Sequence, residues 1–253
     1  MSRLAVVTGG NTGIGRYLVT ALAGAGYDVA FSWIDRPEMA DSLVAEVEAC
    51  GRRGFGRKCD VGQEADVVSF YDAVVEWAGT APHLLVNNAG VQTWGPLLET
   101  TSDDWDMVLR TNVKGAFLNT REAGKKMIAG GIAGSIVNIG SGCNKLAFAN
   151  LVAYTASKGG IEQFTKVSAV ELGRYGIRVN CVAPGAILNE RTAAETGDYA
   201  GSWGAITPLG RVGTVEDIAG PVLFFASDAA GFVTGQTLWV DGGVFTQANF
   251  PRY

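Results

Sequence analysis

A chain of 253 residues, 47% hydrophobic and 18% charged, has ample apolar material for a continuous core and too little charge for a disordered chain. A net charge of −5 and 20 scattered Lys and Arg residues argue against nucleic acid as a partner. The opening apolar stretch is too short for a signal-peptide core, no run reaches membrane-spanning length, and Cys50, Cys59, Cys143, Cys181 and the lone His83 are far apart, so we expect a cytoplasmic protein with reduced thiols and no metal site.

In chain order, Leu4–Thr8 reads as a strand buried on both faces, and it runs into Thr8-Gly9-Gly10-Asn11-Thr12-Gly13-Ile14-Gly15 and a helical Arg16–Ala23. Glycines in a strand-to-helix turn let the backbone approach a pyrophosphate, while the helix N-terminus offers N–H groups and a favourable dipole. A dinucleotide is therefore expected there. Val29–Trp33 is the second strand, followed by a helix over Met39–Cys50 with Leu43, Val44, Val47 and Cys50 on one face. Gly54–Cys59 is the third strand, and Ala65–Trp77 a helix turned inward through Val67, Phe70, Tyr71 and Val74.

Leu84–Asn87 is the fourth strand. Ser102 is the predicted N-cap of a helix running through Met127, acidic in its first turn at Asp103 and Asp104, and Trp77, Trp105 and Phe117 are expected in the core. Ser135–Ile139, Arg178–Val182 and Thr237–Val240 complete seven strands, with a helix through Leu172 between the fifth and sixth and a capping box at Thr214 and Asp217. Residues 184–209 are rich in Gly, Asn and Thr with weak periodicity, and read as a mobile substrate loop. The alternation predicts one α/β domain over residues 1–253: a doubly wound, Rossmann-type, seven-stranded parallel sheet with helices on both faces. Cys59 and Cys181 fall in strand-like runs, Cys143 lies two residues from Ser141, and packing is the expected role of all four cysteines.

Tyr154 and Lys158, four residues apart in the helix through Leu172, share one face a turn apart. A phenol holds its proton to pH ~10, too high for a base at neutral pH, but a neighbouring ammonium favours the phenolate, so the pair suits proton transfer. Ser141, just past the fifth strand, falls at the carboxyl edge of the sheet, where its hydroxyl can hold a substrate oxygen against Tyr154. Singly these residues also fit a surface pair and a turn; together, behind a glycine turn, they point to chemistry. His83, far from Ser141, is given no role.

The spacing G-x-x-x-G-x-G with Tyr154-Thr155-Ala156-Ser157-Lys158 resembles the short-chain dehydrogenase/reductase family along the whole chain. Further matches are Asn87-Asn88-Ala89-Gly90, Asn112, Ser141 thirteen residues before Tyr154, and Pro184-Gly185. The resemblance implies hydride transfer between NAD or NADP and a carbonyl, secondary alcohol or hemiacetal, with Tyr154, Lys158, Ser141 and Asn112 as catalytic residues. Asn112 would bend its helix and hold a water linking Lys158 to solvent. The coenzyme would meet Gly9, Asn11, Thr12, Gly13, Ile14, Gly15, Trp33, Asp60, Val61, Asn88, Ala89, Gly90, Tyr154, Lys158, Pro184, Gly185 and Ile187. A homotetramer is implied, with residues 153–172 at a subunit interface and the aromatic-ended tail, 250–253, packed on a neighbour.

NAD enzymes usually end the second strand in a carboxylate that accepts bonds from the ribose. Trp33 stands there; Asp35 could substitute, while Arg36 and Arg16 could equally meet a 2′-phosphate, so the reading favours NADP with use of both left open. The family layout would rim the substrate pocket with Gln92, Trp94, Cys143, Asn144, Asn189, Glu190 and Arg191. Amides and charges there suit hydroxyls or an anionic group, hence a sugar, sugar acid or polyol; the competing reading is that Asn189, Glu190 and Arg191 simply face water. Asn189 stands where the family commonly has a threonine. The alternative functions are a reductase of ketones or 3-ketoacyl thioesters, and a non-catalytic dinucleotide-sensing protein, which loss of Tyr154 or Lys158 would favour.

Overall fold

The computed structural model describes residues 3–195 and 197–248, with the side chain of residue 195 left aside. Seven parallel strands, β1 (Arg3–Val7), β2 (Tyr27–Trp33), β3 (Gly54–Lys58), β4 (Leu84–Asn87), β5 (Ser135–Ile139), β6 (Arg178–Pro184) and β7 (Thr237–Val240), lie in the order 3-2-1-4-5-6-7. The seven-stranded parallel sheet expected from the sequence is present, its strand ends shifted by at most two residues. Parallel neighbours need crossover connections, and helices supply them on both faces.

The helices α1 (Gly13–Gly24), α2 (Pro37–Ala49) and α9 (Val215–Ala226) pack on one face, and α3 (Glu64–Ala78), α5 (Gly115–Ala129) and α6 (Val152–Leu172) on the other. Strand alternation feeds both cores: Ala5 and Val7 of β1 join the first, Leu4 and Val6 the second. Leu22 and Phe31 on one side and Phe70 and Met127 on the other are wholly buried. Truncating one such side chain to alanine costs roughly 2–5 kcal/mol, so the platform under the crevice is stiff.

Several expectations change. Thr101, not Ser102, caps the helix α4 (Ser102–Leu109): its Oγ1 accepts from the Asp104 N–H at 3.1 Å. The long helix expected through Met127 is split by a π-helical turn, Arg110–Lys114, before α5. Trp105 and Phe117 are 37% and 43% exposed, because α4 and α5 carry apolar side chains that no layer among the described residues covers. Cys50 is also exposed: α2 ends at Ala49, so Cys50 is the C-cap and leaves the apolar face. The other three thiols are buried as expected; burial pushes Cys59 up to about 12 and Cys181 up to about 11, which keeps both unreactive.

His83 acts at the opposite, amino edge of the sheet: its Nδ1 accepts from the Leu4 N–H at 3.2 Å, tying β1 to β4, and burial lowers its pKa. The described residues of 184–209 include two helices rather than a loop alone, α7 (Glu190–Glu195) and α8 (Tyr199–Ile206). The expected bond at the start of α9 forms, Asp217 accepting from the Thr214 N–H at 2.8 Å. The tail expected to pack on a neighbour lies outside the described residues.

Candidate active site

The strand order reverses between β1 and β4, so the connections leaving their carboxyl ends part and open a crevice. One hydroxyl fixes its floor: Thr8 Oγ1 accepts from the N–H groups of Asn88 and Ala89, both at 3.0 Å. The Asn88 amide returns the tie, donating to the carbonyls of Thr8 at 3.0 Å and Gly9 at 2.9 Å. A Cβ on Gly15 would stand 2.1 Å from the Gly9 carbonyl oxygen, so only glycine lets α1 begin this close to β1. Gly13 has φ +53, and a Cβ there would meet nothing within 4 Å, which leaves the space over the turn open.

The first N–H groups of a helix have no partner inside it, and Thr12 supplies no side-chain cap to those of α1. An uncapped helix N-terminus under open space at a glycine turn fits a dinucleotide diphosphate. Asn11 braces the turn from the side, its Nδ2 donating to the carbonyls of Asp35 at 2.7 Å and Arg36 at 3.2 Å. Trp33 ends β2 with its ring against the core and its buried Nε1 without a partner among the described residues; no carboxylate stands in its place. Beyond β3, Asp60 closes a turn by accepting from the Gly62 N–H at 2.9 Å, and Val61 is buried beside Gly115. Gly90 opens the connection beside Asn112. Past Pro184, Gly185 lies against Asp241, and Ile187 is buried.

The two basic candidates for a 2′-phosphate differ. Arg16 is committed to structure, donating to Met39 O at 2.8 Å, Ser42 Oγ at 3.0 Å and Glu46 at 2.5 Å. Arg36 is 56% exposed at its side chain and makes a looser contact, 3.7 Å, with Glu190.

Across the crevice, α6 presents half-buried Tyr154 and, one turn on, Lys158, which is only 5% exposed. The ammonium donates to the Ile139 carbonyl at 2.8 Å and lies 5.5 Å from the centre of the Tyr154 ring. Ser141, two residues beyond Ile139, begins a short 3-10 turn, its Oγ accepting from the Cys143 N–H at 3.2 Å and its N–H donating to Asn144 Oδ1 at 3.1 Å. The Ser141 O–H proton is not used in these contacts, so it can point at a ligand oxygen.

The bend expected at Asn112 is the π-helical turn. Its amide works as a clamp, accepting from the Val91 N–H at 2.8 Å and donating to Val91 O and Ser157 Oγ, both at 2.9 Å. Ser157 in turn donates to the Tyr154 carbonyl at 2.7 Å. A cavity of about 10 Å³, close to the size of one water, lies between Asn87, Asn112 and Lys158, and Asn87 Oδ1 is buried without a partner among the described residues. Thr8 and Ser157 are the residues the sequence reading missed. Both lie inside the quoted motifs, and a hydroxyl at a strand end or one turn after a tyrosine is the signal available.

The expected substrate rim is less uniform than the sequence suggested. Gln92 is half-buried and Trp94 is 60% exposed beside Gly95, which bridges to Leu151 at the start of α6. Cys143 is buried in packing. Asn144 is turned to Ser141 and to Cys181 Sγ, 3.7 Å from its Nδ2, rather than outward. Asn189 caps α7, accepting from the Thr192 N–H at 3.1 Å, and Thr192 Oγ1 donates to the Ile187 carbonyl at 2.8 Å. Glu190 faces Arg36, and Arg191 is exposed on α7.

A family model described as enoyl-(acyl carrier protein) reductase matches residues 9–245. The chain is 37% identical over 242 residues to an L-rhamnose 1-dehydrogenase (NAD(P)(+)) of Sphingomonas sp. strain SKA58, covering 95% of each. It is 36% identical to a 3-oxoacyl-[acyl-carrier-protein] reductase of Staphylococcus aureus, covering 97% of this chain and 99% of the relative. The crystal structure of a gluconate 5-dehydrogenase from Burkholderia cenocepacia, in complex with NADP and tartrate, superposes with a TM-score of 0.90 at 35% identity, covering 97% of this chain and 96% of that one. With these matches over most of the chain, on a seven-stranded parallel sheet, the chain belongs to the short-chain dehydrogenase/reductase family, as an NAD(P)-dependent oxidoreductase acting on CH–OH groups.

Proposed function

We propose that Tyr154, Lys158, Ser141 and Asn112 carry the reaction, and that the substrate is a sugar, sugar acid or polyol. The observation that carries the first part is the buried Lys158 ammonium, fixed on Ile139 O beside the Tyr154 ring and two residues from Ser141. As an alcohol is oxidised, the Tyr154 oxygen takes its hydroxyl proton, and in reduction it returns that proton to the carbonyl oxygen. Ser141 donates to the same oxygen and holds it against Tyr154. Lys158 brings positive charge to the side where the phenol oxygen becomes negative, and a water in the small cavity beside it carries the proton onward. The nicotinamide, when bound, accepts or supplies the hydride. The remaining coenzyme would lie along Gly9, Asn11–Gly15, Asp60–Val61, Asn88–Gly90 and Pro184–Ile187, with NADP preferred because no acidic group ends β2.

The substrate reading is supported by Gln92, Trp94 and Arg191 at the rim, and by relatives named for L-rhamnose and gluconate. A second reading, reduction of a 3-ketoacyl thioester, is favoured by the 3-oxoacyl reductase relative. A panel of aldoses, sugar acids, polyols, 3-ketoacyl thioesters, steroids and aliphatic alcohols, assayed by nicotinamide absorbance with each coenzyme, separates the two. We expect kcat/KM for one hydroxylated substrate to exceed the rest by about tenfold or more, the scale of one well-placed polar contact; the highest value on a 3-ketoacyl thioester overturns the sugar reading.

The chain works in this scheme as one domain, in the cytoplasm and as a homotetramer. Trp105 and Phe117, with Val167 and Val170 of α6, are exposed apolar side chains suited to contact with a second copy, and an open cavity of about 740 Å³ is lined in part by Met107 and Phe117.

A further inference from the structure

The connection after β2 and the segment after β6 leave strands four places apart in the sheet, roughly 19 Å at the usual strand spacing. Yet Arg36 Nη1 and Glu190 Oε2 stand 3.7 Å apart. The pair therefore spans the mouth of the crevice. Its Arg36 end is braced on the glycine turn, since the Asn11 amide holds the carbonyls of Asp35 and Arg36, and Arg36 takes a left-handed backbone with φ 54 as the N-cap of α2. Its Glu190 end opens α7, whose first turn is held by Asn189 and Thr192.

We infer that Glu190 and Arg36 form an electrostatic strap across the coenzyme crevice, and that the 2′-phosphate of NADP displaces Glu190 from Arg36, so that Glu190 helps set the choice between NADP and NAD. This rests on the preference for NADP proposed above. The contact is longer than a hydrogen bond and joins side chains 56% and 79% exposed, so it holds weakly. A phosphate offers the guanidinium two parallel charge-assisted hydrogen bonds and more charge than a carboxylate. Arg16, the other cation near the turn, is already held by Met39, Ser42 and Glu46, which leaves Arg36 as the group able to change partner. NAD carries no 2′-phosphate and leaves the strap in place. Asp35, exposed beside Arg36, opposes the phosphate and keeps the discrimination modest. The segment that reaches toward substrate is thereby released by one coenzyme and not by the other.

Calorimetric titration of NADP and NAD into the full chain tests this, comparing the parent, Glu190→Gln, Arg36→Gln and the double variant. We expect Glu190→Gln to tighten NADP about threefold to fivefold without tightening NAD, and Arg36→Gln to weaken NADP about tenfold. In the Arg36→Gln background, Glu190→Gln should no longer tighten NADP. An Arg36→Gln loss with no Glu190→Gln gain, or an equal gain for NAD, overturns the strap while the NADP preference stands. Unchanged NADP affinity in Arg36→Gln removes the preference and the strap together.

Discussion

Two groups of polar residues at the same edge of the sheet are put to different use. Around Tyr154, hydrogen bonds run between elements: Asn112 joins the π-helical turn to Val91 and Ser157, Thr8 joins β1 to the residues after β4, and Lys158 reaches from α6 to β5. Among the described residues of 184–209, several side-chain bonds close within the segment, as Asn189 and Thr192 cap α7 and Asp198 Oδ1 accepts from the Gly201 N–H at 2.9 Å to cap α8. A group held from several elements keeps its place when one contact is lost; a segment that mainly holds itself can shift as a unit. Under the proposed mechanism, chemistry would belong to the first region and selection of ligand to the second.

The largest effect expected from this division is at Tyr154. Tyr154→Phe keeps the ring and its packing but removes the proposed proton carrier, so turnover should fall about a thousandfold while coenzyme affinity measured by titration stays put. Near-normal turnover would mean that the proton moves by another route. A sharper contrast comes from two amides of the same type in the two regions. Asn144→Ala removes the acceptor that fixes Ser141, so kcat should fall about tenfold with little change in KM. Asn189→Ala removes the cap of α7, so KM should rise about threefold to fivefold with kcat nearly intact. Steady-state kinetics on both variants break the division if the pattern is reversed.

The smallest effect lies far from either region. His83 has a pKa below its ordinary value because it is partly buried, and its neutral Nδ1 accepts from Leu4. A base whose folded pKa is depressed stabilises the protein above its unfolded value, about 6.5, and that contribution is lost as pH falls through the folded value. The melting temperature should therefore drop by a few degrees from pH 7 to pH 5, and by less in His83→Asn. An equal drop in both proteins would assign the loss to other groups.

The division also explains what could be read from the sequence. Parallel strands such as Leu84–Asn87 and Ser135–Ile139 are buried on both faces, and their mostly apolar runs, Leu84, Leu85 and Val86 in one and Ile136, Val137 and Ile139 in the other, mark them at the observed bounds. The glycine turn and the pair Tyr154 and Lys158 are legible because spacing along one element fixes their relation. Asn144 and Asn189 were expected at a substrate rim, but whether an amide faces a ligand or caps a turn depends on backbone three residues away. Trp105 and Phe117 have the periodicity of core residues, and periodicity cannot tell an inner layer from an outer apolar face. The π-helical turn at Arg110–Lys114 left no mark in the apolar pattern of its helix.

The Asn112 clamp has one more consequence. Catalytic groups lose about a hundredfold in rate when displaced by ~1 Å, and distances carried through successive strands accumulate small errors. Asn112 acts as a common datum: one amide fixes Val91, next to the turn that closes the coenzyme crevice, and Ser157, bonded to the Tyr154 carbonyl. The separation between Val91 and the Tyr154 turn is thus gauged by a single rigid group rather than summed across the sheet. Drift in the outer strands or in residues 184–209 leaves that gauge unchanged, so under the proposed mechanism sequence change there would retune the ligand without recalibrating the chemistry.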